Sequence, residues 1–269
     1  GRNDANGAAL FTLEGRAGVN GFKVMYTGQG SGVSDIVPYA ATIRGKGSNV
    51  YILNIDLINP YVGVDLDTYR CDGHTVNGLT GAPLRHGVVV GGGSVDGLVR
   101  DVQFNPHYYG DNSRYGINPQ VSINSVFEYQ MQNAEAFVVR DTFGEVMFNN
   151  FVFGALSGLA LEDGADVIVL AHGTDGGNQS LTAKGTPKQP ITLINSQLVV
   201  VGAYGDIMTY IRLAEDFTGQ LDMIQTNLWG TPAKAVEALS GSIRLTQGNI
   251  LRCGVMGIVN IAAETAVSG

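Results

Sequence analysis

The sequence predicts an all-β fold: a parallel β-helix of about ten coils with loop insertions, a single domain over residues 1–269. Three observations predict it. An asparagine, or a residue able to stand in for one, returns every 22 to 25 residues inside short apolar runs, and a fixed period in the twenties marks stacked repeats. The flanks of each anchor are β-branched and aromatic with glycine close by, so each repeat carries strands and turns rather than a helix pair. Glycine is 38 of 269 residues and charged residues only 15%, which leaves 44% apolar residues for a narrow internal stack. The alternative, a β-sandwich, would show turn signals about every 8–12 residues, roughly half the spacing found here.

Asn20 in AGVNGFKV opens the series. Asn54 in YILNIDL, Asn77 in HTVNGLT, Asp101 in LVRDVQF, Asn124 in VSINSVF, Asn149 in VMFNNFVF, His172 in VLAHGTD and Asn195 in TLINSQLV follow at steps of 23, 24, 23, 25, 23 and 23. Asn227 comes 32 residues later and Asn249 a further 22. Each coil of roughly 23 residues would hold two or three short strands and pair with the next at about 4.8 Å. Asparagine suits the turn between strands because it tolerates left-handed backbone and bonds nearby backbone groups. Stacking would also let like side chains bond along the axis. HGVVVGGG (86–93), DVIVLA (166–171) and QLVVVGA (197–203) suit inward-facing parallel strands. NPQVSINSVFEYQMQNAEAF (118–137) reads as partly helical, and TPAKAVEAL (231–239) as one or two helical turns after Pro232.

Charge and cysteine bound the partners. The net charge is −8 with a pI near 4.9 and no Lys/Arg cluster, so nucleic acid is not expected as a ligand. No apolar stretch approaches the ~18 residues of a membrane span. Cys71 and Cys253 would lie seven to eight coils apart, roughly 35 Å along the axis, so both are expected as free thiols. Neither end shows an amphipathic capping helix. A raw coil end is an open sheet edge, so a further protein segment or a neighbouring chain is expected over at least one end of the helix.

The candidate chemistry gathers in the first half. Counting forward from successive anchors aligns Asp65 and Asp67 in YVGVDLDTYR, then Arg85 and His86 in APLRHG, then His107, Tyr108, Tyr109 and Asp111 in NPHYYGD. Arg114 and Tyr115 continue the tyrosine-rich stretch, and the insertion from Asn105 to Gln132 is the natural wall of a groove. Sugar sites need this mixture. Aromatic rings lie against pyranose faces, arginine and carboxylates bond hydroxyls, and two carboxylates about 5–9 Å apart can do glycoside chemistry. Asp65 and Asp67 are the expected catalytic carboxylates with Asp72 in reserve, and His86 binds or polarises the sugar. Arg85, His107, Tyr108, Tyr109, Asp111, Arg114 and Tyr115 are the expected substrate contacts. No cofactor is expected, although Asp65 and Asp67 could hold Ca²⁺.

Plainer readings compete. Asp72-Gly73 and Asp96-Gly97 read as turns, Tyr108 and Tyr109 as loop packing, His172 as a structural hydrogen-bonding residue and Trp229 as packing. GVVVGGGSVDG (87–97) lacks the GK[ST] of a phosphate loop and is followed by a strand pattern. HGTDGG (172–177) has no partner serine motif, no GxSxG elbow exists, and the His and Cys spacings match no zinc motif.

The ladder of Asn-centred coils, clearest in LNIDLINPYVGVDLD (53–67) and MFNNFVFGALSGLALEDG (147–164), resembles the pectate-lyase-like superfamily of right-handed single-stranded parallel β-helices. That group includes pectate lyases, polygalacturonases, two-domain β-1,3-glucanases, epimerases and phage tailspikes. The chain lacks the polygalacturonase set of NTD, paired DD and GHG, and CDGH (71–74) and LRHG (84–87) are loose echoes, so no catalytic residue is carried over. The resemblance implies a secreted or cell-surface protein of bacterial or phage origin. It also implies a polysaccharide or oligosaccharide ligand, with glycoside hydrolysis as the leading expectation. A Ca²⁺-assisted polysaccharide lyase, or a non-enzymatic tailspike or surface-assembly component, are the alternatives.

Overall fold

A computed structural model describes residues 4–29, 35–110, 121–201, 208–250, 256–260 and 264–268, and the fold is a parallel β-helix. A ten-stranded parallel front sheet runs in chain order through Phe11–Glu14, Ile43–Lys46, Val62–Leu66, His86–Val90, Glu135–Val139, Ser157–Leu161, Gln179–Ala183, Thr209–Leu213, Lys234–Ala238 and Met256–Asn260. Most coils return through a back wall of two short strands that meet at a corner, as in Glu145–Phe148 with Phe151–Phe153 and Ile191–Ile194 with Gln197–Val200, while in Tyr51–Leu57 and Thr75–Gly81 one strand runs through it. These pair in parallel with their counterparts in the coils before and after.

The corner accounts for the sequence period. Gly21, Asn54, Gly78, Asp101, Asn149, Ala171, Asn195, Gln225 and Gln247 all have left-handed backbone, and the strand register stacks them coil upon coil. Glycine enters this region freely, and asparagine and aspartate more readily than other side chains. Corner and near-corner side chains bond along the axis. Asn54 Nδ2 donates to Asn20 Oδ1 at 3.0 Å, Asn149 Nδ2 to Asp101 Oδ1 at 2.7 Å and Asn249 Nδ2 to Asn227 Oδ1 at 2.7 Å. Asn20, Asn77 and His172 sit one residue from the corner, and Asn227 and Asn249 two, so the anchors mark the turn without always occupying it.

Asn124 is a correction. It lies exposed in a helix, Ile123–Asn133, while Asp101 and Asn149, 48 residues apart, bond directly across adjacent coils. An insertion about one coil long had imitated a coil. The helix buries Val126, Gln130 and Met131, and Gln130 Nε2 donates to the Pro83 carbonyl at 2.8 Å. TPAKAVEAL is a second correction. Lys234–Ala238 is a strand in register with Thr209–Leu213, with Val236 opposite Ile211 and Ala238 opposite Leu213. Pairing inside the sheet overrides the helix propensity of Ala, Lys and Glu.

The core is one column within the coils. From the front sheet, Ile43, Val64, Val88, Phe137, Leu159, Leu181, Ile211 and Val236 stack in register, all nearly fully buried. Cys71 is buried and free, and Cys253 lies outside the described residues. A satellite core of Ile58, Ala82, Leu84, Tyr108, Tyr109, Val121 and Val126 fastens the insertion to the coils.

Candidate functional site

The outer face of the front sheet carries a groove of about 300 Å³. Four residues singled out from the sequence line it, Asp65, Asp67, Arg85 and His86, joined by Arg44 and Arg140. The front strands position them by register. Arg44 lies beside Asp65, and Asp65 beside Val89 in the next coil. Val89 continues into Val138 and Ala160 as an apolar floor separate from the main core. His86 lies beside Glu135 on one side of this floor, and Asp67, Arg140, Glu162 and Lys184 line the other.

Asp65 is almost fully engaged. Arg44 Nε donates to its Oδ2 at 2.7 Å, the Thr68 hydroxyl to the same oxygen at 2.6 Å, and the Asp67 and Thr68 amides to Oδ1 at 3.0 and 2.9 Å. Burial pushes its pKa up, but these donors outweigh burial and hold the carboxyl below its ordinary value. Asp65 is thus a structural anion that closes its own turn and holds Arg44. The same donors occupy the oxygens a Ca²⁺ would need, Asp67 faces a guanidinium, and no cluster of three metal-ligating side chains exists among the described residues.

Asp67 meets Arg140 from two coils away. Arg140 Nη2 and Nε both donate to Asp67 Oδ2, at 2.6 and 3.0 Å. The intervening coil has Gly91 at that place, where a Cβ would sit 2.0 Å from Asp67 Oδ1 and 2.8 Å from the Arg140 carbonyl, so a side chain there would press on the pair. Arg140 Nη1 also donates to Glu162 at 3.0 Å, and Lys184 lies 2.9 Å from the same carboxyl. Burial raises the Glu162 pKa, but Lys184 and Arg140 outweigh it and lower the value overall.

His86 differs. Its Nδ1 lies 3.4 Å from Glu135 Oε2, out of hydrogen-bonding alignment. Burial first, then the charges of Arg85 and Arg140, push its pKa down to about 4, so the imidazole is neutral near pH 7. Arg85 is tied down by the Asn133 carbonyl at 2.7 Å, with its other nitrogen 3.5 Å from Glu135. The groove therefore offers a neutral imidazole beside a carboxylate, flanked by guanidinium groups. That set can accept a proton and stabilise a developing anion.

The other candidates lie elsewhere. Tyr108 and Tyr109 are 6% and 3% exposed in the satellite core, with the Tyr108 hydroxyl donating to Gln103; they fasten the insertion and are not among the residues lining the groove. His107 packs near Phe153 with ring centroids 6.3 Å apart. Asp72 pairs with exposed Arg70 and accepts the Val95 amide, closing a turn. Asp111, Arg114 and Tyr115 lie outside the described residues. His172 is fully buried against the edge of Phe137 at 5.5 Å. Its ring bonds no protein group, so its role is packing rather than the expected hydrogen bond.

Sequence reasoning missed Arg44, Glu135, Arg140 and Glu162. A signal existed for two of them. Aligning the apolar triplets of the front strands puts Asp67, Gly91, Arg140, Glu162 and Lys184 at one place, the residue after the last inward side chain. Counting from Asn124 hid this alignment. His74 and Glu145 form a second pair across a glycine, both wholly buried. Nε2 lies 3.2 Å from Oε1, and Nδ1 lies 2.7 Å from the Cys71 carbonyl. A Cβ at Gly97 would come within 2.0 Å of His74 and 2.2 Å of Glu145. No helix among the described residues is long and apolar enough to cross a membrane. No family model matches this chain, and no curated protein matches it.

Proposed function

We propose that this is a carbohydrate-active β-helix that handles an acidic polysaccharide along the front-sheet groove, and that its reaction is β-elimination at a uronate. The observation that carries the reading is the gathering of the His86 imidazole with the guanidinium groups of Arg44, Arg85 and Arg140 in one groove, Glu135 Oε2 lying 3.4 Å from His86 Nδ1. In this scheme His86 takes the proton on the carbon next to the sugar carboxylate. Arg85 and Arg140 stabilise the charge that builds on that carboxylate. The glycosidic C–O bond then breaks, a C=C bond forms, and the departing oxygen takes a proton from the imidazolium or from water. Asp65 and Glu162 fit glycoside hydrolysis less well, because a general acid needs a raised pKa and theirs are lowered.

Hydrolysis is the second reading, favoured by Asp67 and Glu135 standing on opposite sides of the groove floor. Incubation with polygalacturonate, alginate and hyaluronan tests both. New reducing ends carrying an ultraviolet-absorbing conjugated double bond support elimination, and reducing ends without it support hydrolysis. Binding without cleavage would leave an adhesive or tailspike-like module, and neither binding nor cleavage would defeat the reading.

The pectate-lyase-like relationship and a secreted or cell-surface location belong to the same proposal. So does a protein segment over one end of the helix. Phe11–Glu14 pairs with Ile43–Lys46 and with no other described strand, which leaves a sheet edge able to accept another strand.

A further inference from the structure

Next to the groove, toward the first coil, lies a larger cavity of about 440 Å³, within the range of ligand pockets, about 300–1,000 Å³. Its lining differs in kind. The groove holds three guanidinium groups and two aspartates, whereas among the described residues the only ionisable side chains lining this cavity are the phenols of Tyr26 and Tyr39. Those rings stack with centroids 4.5 Å apart at 24°. Leu10, Met25 and Thr27 complete an apolar surface edged with hydroxyls.

The cavity is built. Asn59, fully buried, clamps Tyr26 from both sides: its Oδ1 accepts the Tyr26 amide at 2.8 Å and its Nδ2 donates to the Tyr26 carbonyl at 3.1 Å. Gln29, 4% exposed, does the same to Val37, at 2.8 and 3.0 Å. The Tyr26 hydroxyl is paired with the Thr42 hydroxyl at 3.0 Å. Two amide clamps and a hydroxyl pair thus hold the stacked rings before any ligand arrives, which lowers the ordering cost of binding.

Neighbouring residues of the chain line the cavity and the groove. Ala40 lines one and Ala41 the other, and the segment from Ala5 to Leu10 runs along both. Arg44 fastens that segment by donating to the Gly7 carbonyl at 3.1 Å while it holds Asp65. A polymer in the groove that continues toward the first coil runs toward the tyrosines.

We infer that the Tyr26–Tyr39 cavity is a neutral-sugar subsite, which takes an uncharged pyranose unit of the same polymer whose acidic unit lies among the arginines. The inference rests on the reading of the groove as a polysaccharide site. It narrows the substrate class to heteropolymers that combine acidic and neutral sugars. The chemistry is that of sugar recognition: ring faces meet aromatic faces, hydroxyls meet Thr27 and the phenols, and the described lining carries no charge to favour a uronate.

The test uses ligand-observed saturation-transfer NMR on the full chain. The neutral probes are the methyl glycosides of glucose, galactose, mannose and rhamnose together with N-acetylglucosamine, and the acidic probe is a galacturonate trisaccharide. Wild type, Tyr39→Ala, Gly28→Val and Arg85→Ala are compared. Gly28 matters because a Cβ there would lie 2.4 Å from the Tyr39 hydroxyl, so Gly28→Val displaces that ring without removing it. At least one neutral glycoside should bind wild type and Arg85→Ala, and weaken by roughly tenfold in Tyr39→Ala and Gly28→Val, the scale of one aromatic contact. The acidic probe should lose binding only in Arg85→Ala. If no neutral probe binds, or binding survives both tyrosine-directed variants, the subsite is overturned while the groove reading stands. If neutral probes bind as expected but the acidic probe does not, the groove reading fails and the subsite remains. Circular dichroism on each variant separates lost binding from lost fold.

Discussion

At the scale of single residues, the corner of the back wall shows how strongly one backbone conformation can shape a sequence. Nine stacked positions demand left-handed backbone, and seven of them carry a side chain. Ala171 is the least suited, since it has φ 51° and no polar side chain to bond locally. Ala171→Gly should therefore stabilise the protein by about 1 kcal/mol, read as a rise in the urea midpoint; an unchanged or lowered midpoint would show that the strain is absorbed elsewhere. Asp65 makes the opposite case. Its carboxylate receives four donors, so Asp65→Asn should cost about 2–3 kcal/mol of stability through the lost charge opposite the half-buried Arg44. His86→Ala should leave the melting temperature nearly unchanged and remove turnover, as expected for an imidazole that bonds nothing structural.

Strands and coils show a second device, in which a glycine in one coil lets side chains from the coils on either side meet. Gly91 does this for Asp67 and Arg140, and Gly97 for His74 and Glu145. Adjacent coils lie about 4.8 Å apart, so the paired residues start from backbones about twice that distance apart, and a Cβ between them would press on both. Gly97→Ala should force the buried pair apart and leave Glu145 without its partner, at a cost of about 3 kcal/mol or more. Gly91→Ala, on the solvent side, should cost less and act mainly on the groove by releasing Arg140. Comparing the two urea midpoints checks the order, and equal losses would argue against the distinction.

For the whole molecule, two buried histidines set opposite pH limits. The folded pKa of His74 is raised: burial lowers it, but the bond to Glu145 and its charge outweigh burial. Its contribution is complete below the unfolded value of about 6.5 and is lost as pH rises through the folded value. His172 runs the other way, since burial depresses its pKa to about 4. Between pH 6.5 and 4 the unfolded chain takes a proton that the folded chain refuses, so stability falls with falling pH, by about 3 kcal/mol at the bottom of that window. His172→Met should make the acid limb between pH 6.5 and 4 shallower, His86 still contributing in the same sense, and leave the alkaline side alone, whereas His74→Gln should flatten the alkaline side. Denaturant midpoints across the pH range check both, and an acid limb unchanged in His172→Met would remove His172 as its source.

The repeat was legible in the sequence because left-handed corners favour asparagine, aspartate and glycine, which hold six of the nine, a local backbone demand that any reader of spacing can detect. The inward runs were legible for the same reason, since burial on both sides of a strand selects Val, Ile and Leu. Asp65, Asp67, Arg85 and His86 could be placed on one face because Asn54 is a corner and Asn77 lies one residue from the next, so each count ran within a true coil. The count failed at Asn124, since nothing local separates a coil from an insertion of equal length, and with it went Glu135 and Arg140. The ionisation and burial of the candidates were decided by tertiary structure alone. Whether Asp65 is a free acid or a bound anion depends on Arg44 from the preceding coil. Whether Tyr108 faces a ligand or a core depends on how the insertion helix docks. Those contacts join residues far apart in the chain, and charge and solvation respond to what lies near in space.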